Sequence, residues 1–217
     1  MNALPPNDGR EKPEPLDAGL DAESLAADPV AQFARWMADV VAAGLPEPTA
    51  MVLATVSAAG RPRARTVLLK GYDAAGFTFY TNRTSRKGRD LAEVPRACLL
   101  FGWHAIYRQV IVEGTVTPLS TPESEPYFHS RPRGSQLAAR ASRQSTVLSS
   151  RRELEDRHAE LAARWPEGTQ IPMPDFWGGY RVVPEVIEFW HGRTSRMHDR
   201  FRYSGGTDGW LIERLAP

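Results

Sequence analysis

The sequence predicts an α+β domain: a β-barrel of antiparallel strands carrying a few peripheral helices. Short apolar runs rich in Val, Thr, Phe and Tyr, separated by glycine-containing turns, recur between Ala50 and Thr81 and again from Gly179 to Leu215. That strand–turn–strand succession reads as an antiparallel meander. Helical spacing of apolar residues is confined to a few segments outside these runs. The chain has 217 residues and is 41% hydrophobic, enough for one domain with a sizeable core.

Residues 1–27, rich in Pro and acids, are expected to be disordered or loosely draped, and residues 28–217 to form a single domain. Asp28 is an N-cap candidate with Pro29 at the first helical position, and Phe33, Trp36, Met37, Val40 and Val41 recur on one helical face. Gly44 and Pro46 end that helix. Strands are expected at 50–56, 65–70 and 77–81, with turns at Ala59-Gly60 and Asp73-Ala-Ala-Gly76. A short helix should follow from Ser85 to about Glu93, stopped by Pro95, and then a long hairpin of 97–103 and 107–118. Helices are expected from Pro122 to about Arg131 and from Ser149 to about Trp165, the second with a wide polar face turned to solvent. The chain then returns to strands at 179–183, 186–190, 198–203 and 210–215.

Bulk properties narrow the function. Lys and Arg number 27 against 26 Asp and Glu, a net charge of +1, so no global field favours nucleic acid or an anionic membrane. Anion binding must come from local clusters. The single cysteine, Cys98, sits in the apolar run Ala97-Cys-Leu-Leu-Phe101 and reads as a small buried hydrophobe, which fits a reducing cytoplasm. No apolar run approaches the about 18 residues of a membrane span. The five histidines lack metal-ligand spacing, so no metal is expected. A Gly-x-Ser-x-Gly elbow and a contiguous basic-aromatic patch are also missing, which argues against a serine hydrolase and an RNA binder.

Three local clusters remain. The first is Arg65 and Lys70 with Tyr80-Thr81-Asn82 and Ser85-Arg86-Lys87, hydroxyls and cations where a strand hands over to a helix. A helix start adds free backbone N–H groups and positive dipole, which suits phosphate. Arg65 and Lys70 are five apart, so a flat strand would point them to opposite faces unless a bulge or a second subunit intervenes. The second is Tyr127-Phe-His-Ser-Arg131-Pro-Arg-Gly-Ser135, with Tyr127 and Arg131 at i and i+4 on a helix and Ser135 in a loop beyond Pro132. His129 falls on another face and reads as structural. Gln109 and Gln144-Ser145 carry polar groups that could bond the edge of a planar heterocycle or merely satisfy backbone.

The third lies in Glu188-Phe-Trp-His-Gly-Arg-Thr-Ser-Arg-Met-His-Asp-Arg-Phe201, where Arg196, His198 and Arg200 occupy alternate positions just after Trp190. On a β-strand these would share one face, roughly 6.5–7 Å apart. Two guanidinium groups beside an imidazole suit a planar anion, because arginine both forks to oxyanions and stacks on rings. A solvated basic strand face is the competing reading.

Taken together, Arg65-Thr-Val-Leu-Leu-Lys70, Tyr80-Thr81, Ser85-Arg-Lys87, Tyr127-Phe-His-Ser-Arg-Pro-Arg133, Phe176-Trp-Gly-Gly179, Glu188-Phe-Trp190, Arg196-Met-His-Asp-Arg200 and Arg214-Leu-Ala-Pro217 resemble the pyridoxine/pyridoxamine 5′-phosphate oxidase family, from about Ala27 to Pro217. The resemblance implies an FMN-binding split β-barrel, antiparallel and Greek-key-like, in a homodimer with FMN at the subunit interface. It implies that FMN is held by Arg65, Lys70, Tyr80, Thr81, Arg86, Lys87, Gln109, Gln144, Ser145, Trp190 and Arg200. The substrate phosphate would meet Lys70, Tyr127, Arg131 and Ser135, while Arg196 and His198 lie over the pyridine ring and its C4′ substituent as the catalytic pair. The implied reaction is oxidation of pyridoxine or pyridoxamine 5′-phosphate to pyridoxal 5′-phosphate. Hydride passes from C4′ to flavin N5, O2 is the acceptor, and peroxide and, from the amine, ammonia are released.

One departure stands out. Many family members carry an Arg-x-x-Tyr element before the first helix that helps close over the substrate. Here the corresponding region reads Lys12-Pro-Glu-Pro15 and no tyrosine precedes Tyr72. Two alternatives therefore stay open: a related flavin-dependent oxidase of secondary metabolism acting on dihydrophenazine-type intermediates, and a non-catalytic FMN- or B6-phosphate-binding protein. The presence of Lys70 and Tyr127-Phe-His-Ser-Arg131 favours a phosphorylated B6 vitamer over the first.

Overall fold

The computed structural model describes residues 19–206 and 209–217. The expectation of a loose tail over 1–18, and the Lys12-Pro-Glu-Pro15 departure, lie outside the described residues.

Among the described residues five α-helices and nine strands follow one another in the order α1 (Pro29–Ala42), β1 (Ala50–Val56), β2 (Pro62–Leu68), β3 (Gly71–Asp73), β4 (Gly76–Asn82), α2 (Arg86–Glu93), β5 (Arg96–Trp103), β6 (Arg108–Pro118), α3 (Thr121–Ser130), α4 (Arg133–Ala141), α5 (Arg151–Arg164), β7 (Trp177–His191), β8 (Asp199–Gly206) and β9 (Gly209–Arg214). The strands pair in the order β2-β1-β5-β6-β7-β4-β3, with β8 joined to β7 and β9 to β8. The chain divides into two compact units, one made of the stretch up to Pro48, Phe101–Ile111 and Val186–Pro217, the other of Thr49–Leu100 and Val112–Glu185.

The first unit is organised by α1. Asp28 caps it by accepting the Ala31 N–H at 3.0 Å, and Pro29 occupies a position whose N–H would have no helical partner. Phe33, Trp36, Met37 and Val40 turn inward, each removal from water contributing roughly 1.5–3 kcal/mol. Phe33 meets Phe101 edge-on at 4.9 Å, and Trp36 meets Phe189 at 5.1 Å. Val41 is a correction to the expected face: it is 59% exposed, one step past the buried stripe. The loose tail also needs correcting over 19–27. Leu20 and Ala26 are buried, the Leu20 N–H donates to Asp199 Oδ2, and the Tyr203 hydroxyl donates to the Ala26 carbonyl at 2.8 Å. Within this unit β7 pairs antiparallel with β8 over Val186–His191, placing Trp190 opposite Arg200, and β8 pairs with β9.

The second unit contains the β1–β2 ladder, in which Leu53 faces Arg65 and Thr55 faces Arg63, and the β4–β7 ladder, in which Tyr80 faces Gly179. β1 alternates, with Met51, Leu53 and Thr55 inward, and α2 packs on that strand. A second apolar cluster of Phe128, Leu137, Ile171 and Trp177 lies among α3, α4 and the start of β7.

Several expected boundaries shift. The strand expected at 65–70 ends at Leu68, so Lys70 lies beyond it and the opposite-face difficulty does not arise. β3 and α4 were not expected. Pro132 does end α3, but it also occupies the N-cap position of α4, so Ser135 stands in a helical first turn rather than a loop. The two strands expected at 179–183 and 186–190 are one strand that continues through Pro184.

Candidate functional site

The second unit gathers a cation-rich cradle at the start of α2. Ser85 is fully buried and caps the helix, its hydroxyl accepting the Gly88 N–H and the Lys87 ammonium, each at 3.3 Å. Gly88 is required by close approach: a Cβ there would stand 2.0 Å from the Arg83 carbonyl oxygen. Gln144 reaches in from the α4–α5 connection. Its Oε1 accepts from Lys87 Nζ at 3.0 Å and from the Thr81 hydroxyl at 3.4 Å. Beside it, Ser145 takes a left-handed φ of 70° and its hydroxyl accepts the Arg86 N–H at 3.1 Å.

Arg65 closes the other side, donating through Nη1 to the Leu53 carbonyl at 3.0 Å and the Thr55 hydroxyl at 2.8 Å. The cluster holds four cations, Arg63, Arg65, Arg86 and Lys87, and one buried carboxylate, Asp90, which is paired with Arg63 and lies 3.8 Å from Arg65. The imbalance registers in the titration of the cluster. Burial, and then the Arg65 charge, push the Lys87 ammonium down to about 8. Burial also lowers Arg65, opposed by Asp90 and reinforced by Arg63 and Arg86. Excess positive charge at a helix start is a physical description of an anion site.

A second cluster in the same unit is built on aromatic rings. Tyr80 stacks on Tyr127 at 4.1 Å and on Trp177 at 5.3 Å. Gly179 makes this possible, since a Cβ there would come within 2.9 Å of the Tyr80 ring. The Arg131 guanidinium lies over Trp177, 5.1 Å from the ring centroid, and donates through Nη2 to the Ser135 carbonyl at 3.0 Å. Its Nη1 is buried with no hydrogen-bond partner among the described residues. Such a donor is costly unless a ligand accepts from it. Burial lowers Arg131 and raises Tyr80. Lys70 is exposed, just past β2, its backbone N–H donating to the Thr78 carbonyl. His129 is structural, bonded to Glu125 and Gln170 and edge-on to Phe128.

The first unit carries the remaining candidates. The His198 and Trp190 rings lie 4.7 Å apart, and His198 Nδ1 accepts the Arg193 N–H at 3.0 Å. In the neutral ring this puts the proton on Nε2. Arg200 forks onto Glu188, Nε at 2.8 Å and Nη2 at 3.0 Å, with Nη1 donating to the Ala216 carbonyl. That pairing raises its pKa and balances its charge. Gln109 is half-buried near the start of β6. The alternating basic row is corrected here: Thr194–Arg196 form a 3-10 turn in which Ser195 (φ 54°) and Arg196 (φ 61°) are both left-handed, and β8 begins only at Asp199. Only Arg200 of the three stands on a strand, and Arg196 is exposed.

Three contributors escaped the sequence reading: Thr55 and Asp90 around Arg65, and Trp177 under Arg131. No local spacing points to Asp90, because its partners Thr55, Arg63 and Arg65 lie on β1 and β2. Cys98 is half-buried and its thiol is pushed up to about 11 by burial and by Glu113, which keeps it from acting as a nucleophile. Among the described residues no three His, Cys, Asp or Glu side chains group as a metal site, and no helix is long and apolar enough to cross a membrane.

An antiparallel sheet with a cation-rich helix start, and an arginine stacked among aromatic rings, has the chemistry that suits a phosphorylated, planar molecule. Comparison with known proteins is specific. Residues 37–164 match the family model described as pyridoxamine 5′-phosphate oxidase, and residues 177–217 match the pyridoxine 5′-phosphate oxidase C-terminal dimerisation region. The chain is 57% identical over 202 residues to a pyridoxine/pyridoxamine 5′-phosphate oxidase of Frankia alni, covering 91% of this chain and 84% of that protein. It is 56% identical over 196 residues to the protein of the same name from Bordetella petrii, covering 90% and 92%. Among solved structures, PhzG from Burkholderia lata 383, in complex with tetrahydrophenazine-1-carboxylic acid, superposes with a TM-score of 0.86 at 32% identity over 92% of this chain and 98% of that one. A pyridoxamine 5′-phosphate oxidase-related, FMN-binding protein of Nostoc punctiforme shares the fold, with a TM-score of 0.69 at 18% identity, covering 89% and 100%.

This chain belongs to the pyridoxamine 5′-phosphate oxidase family. The α+β split-barrel class expected from the sequence is borne out by these likenesses.

Proposed function

We propose that this protein is an FMN-dependent oxidase that converts pyridoxine 5′-phosphate and pyridoxamine 5′-phosphate to pyridoxal 5′-phosphate. The observation that carries the reading is the unsatisfied, buried Arg131 Nη1 beside a cluster of aromatic rings, in the same unit as the separate Lys87 cradle. Two anion pockets suit two phosphorylated partners, the cofactor and the vitamer. The identities of 57% and 56% to proteins named as this oxidase support the same assignment.

The donor set fits FMN. Arg65, Arg86, Lys87, Thr81, Gln144 and Ser145 would bind its phosphate, with Tyr80 and Lys70 beside them. Gln109, Trp190 and Arg200, carried by the first unit, are the other FMN ligands that the family resemblance implies, Arg200 contributing direction rather than net charge because Glu188 balances it. Bound FMN supplies the two-electron acceptor for the C4′ carbon and passes the electrons to O2, which leaves as peroxide. Tyr127, Arg131, Ser135 and Lys70 would hold the vitamer phosphate. Arg196 would bind and orient the ring and stabilise charge at the reacting carbon. His198, fixed through Nδ1 by the Arg193 N–H, would orient the C4′ group through its Nε2–H or assist proton movement. The alcohol then gives the aldehyde directly, and the amine gives an imine that water hydrolyses to aldehyde and ammonia.

The match of 177–217 to a dimerisation region supports a homodimer, in which each FMN draws on both chains. A cytoplasmic location is in keeping with a lone, unpaired Cys98. The test is direct: purify the protein, look for flavin absorbance, and add pyridoxine 5′-phosphate under air. Aldehyde and peroxide appear together if the reading is right. Bound FMN without product from either vitamer would shift the assignment toward a phenazine-type oxidation, the alternative reading, whose structural relative PhzG is only 32% identical.

A further inference from the structure

Asp90 is a buried carboxylate, 2% exposed, inside a cluster whose other members are cations. A helix that merely needed an anion-binding start would be better served without it, because a negative charge next to Arg65 opposes an incoming phosphate. Its contacts suggest a different role. The β1–β2 register puts Thr55 opposite Arg63 and Leu53 opposite Arg65, and residues two apart on a strand share a face, so all four side chains lie on one side of the ladder. α2 packs on β1 and brings Asp90 to that face.

Asp90 Oδ1 is paired with Arg63, and Oδ2 accepts the Thr55 hydroxyl at 2.8 Å. Because Thr55 donates to Asp90, its oxygen is left to accept, and Arg65 Nη1 donates to it at 2.8 Å. Arg65 Nη2 lies 3.8 Å from Oδ2. The chain Arg65–Thr55–Asp90 therefore ties the guanidinium on β2 to α2, the helix that carries Ser85, Arg86 and Lys87 at its start.

We propose that Asp90 is a positioning residue that, through Thr55, fixes the Arg65 guanidinium relative to the first turn of α2, so that the phosphate cradle is assembled before its ligand arrives. The inference rests on reading that cradle as the FMN phosphate site. A preorganised donor set binds better because less ordering is left for the moment of binding.

The sign of the effect separates this from plain electrostatics. Asp90→Asn removes a negative charge, so Coulomb attraction alone makes FMN bind more tightly. Loss of positioning makes it bind more weakly, by about tenfold for a charge-assisted contact. Riboflavin, which lacks the phosphate, serves as the internal control. FMN and riboflavin dissociation constants are measured by flavin fluorescence on the apo-protein for the wild type, Asp90→Asn and Thr55→Val. Thr55→Val leaves every charge in place and breaks the same chain, so it decides the matter if Asp90→Asn does not fold.

The expected result is a loss of FMN affinity in both variants with riboflavin affinity unchanged. A general loosening of the fold lowers both affinities together, and a ratio of FMN to riboflavin affinity that stays at the wild-type value or rises overturns the proposal. The underlying site reading has its own check. If wild-type protein shows no preference for FMN over riboflavin, or Lys87→Gln leaves that preference intact, the cradle is not the phosphate site. If Lys87→Gln abolishes the preference and Thr55→Val does not, only the positioning role fails.

Discussion

The cradle at the start of α2 and the segment from His191 to Arg200 are built on opposite principles. In the cradle every cationic group but Arg86 is held by neighbouring groups: Arg65 by Leu53 and Thr55 on β1, Lys87 by the cap Ser85 and by Gln144. Its charge is left unbalanced and its geometry is fixed. In the segment the charge of Arg200 is balanced by Glu188, while Arg196 stands exposed on a turn with two consecutive left-handed residues. Firm placement of a phosphate needs stored positive charge on rigid elements, and a residue that meets a reacting group can sit on irregular backbone. Binding and turnover should therefore respond separately to substitution in the two regions.

Arg196→Leu should break the comparison most sharply on the side of turnover. We expect kcat to fall by about a hundredfold, the scale of removing one transition-state donor, with FMN still bound and its absorbance unchanged. Loss of flavin from this variant would mean that the exposed turn supports the cofactor after all. Lys87→Gln should do the reverse, weakening FMN by about ten- to a hundredfold through loss of a charge-assisted contact. Substrate KM at saturating FMN should move little, and a steady-state assay over a range of added FMN separates the two.

The pH dependence of FMN affinity sharpens the contrast further. Lys87 has its pKa pushed down to about 8 in the protein by burial and by Arg65. A bound phosphate stabilises the ammonium and raises that value again. Below about 8 the free protein already carries the charge, and affinity is fully expressed. As pH rises through that value, the free protein loses the proton that the complex keeps, so affinity must fall. Titrating FMN between pH 7 and 9.5 should show the decline, and Lys87→Arg should flatten it because a guanidinium stays charged. A flat wild-type profile would show that Lys87 is not in contact with the phosphate.

What could be read from the sequence follows the same division. α1 and α2 were legible because their signals are local: Asp28 and Ser85 accept the N–H groups that a cap is expected to satisfy. Lys87, Thr81 and Gln144, expected in one cluster from the family resemblance, do meet through Gln144 Oε1. α4 was hidden because Pro132 is both the end of one helix and the start of another, and proline alone does not say which. The Arg196–His198–Arg200 row was misread because alternation in sequence implies a shared face only if the backbone is extended. Ser195 and Arg196 have positive φ without the glycine that would have signalled it. The role of Asp90 depends on which residue of β2 lies opposite Thr55, a register that no local pattern encodes.

That left-handed pair supplies the smallest effect. Ser195 at φ 54°, ψ 20° occupies a conformation that costs an L-residue roughly 1–2 kcal/mol, and glycine relieves the clash while adding about 0.5–1 kcal/mol of unfolded-state entropy. Ser195→Gly should therefore leave stability unchanged or raise it by up to about 1.5 kcal/mol in urea unfolding, the balance of those two contributions. FMN affinity should not move, because the cradle is built from other elements. kcat should decline modestly, since glycine at 195 widens the range of positions open to Arg196. A clear loss of stability in this variant would mean that the turn holds its shape through the Ser195 side chain rather than in spite of its backbone, and Arg196 would then rest on a firmer support than its exposure suggests.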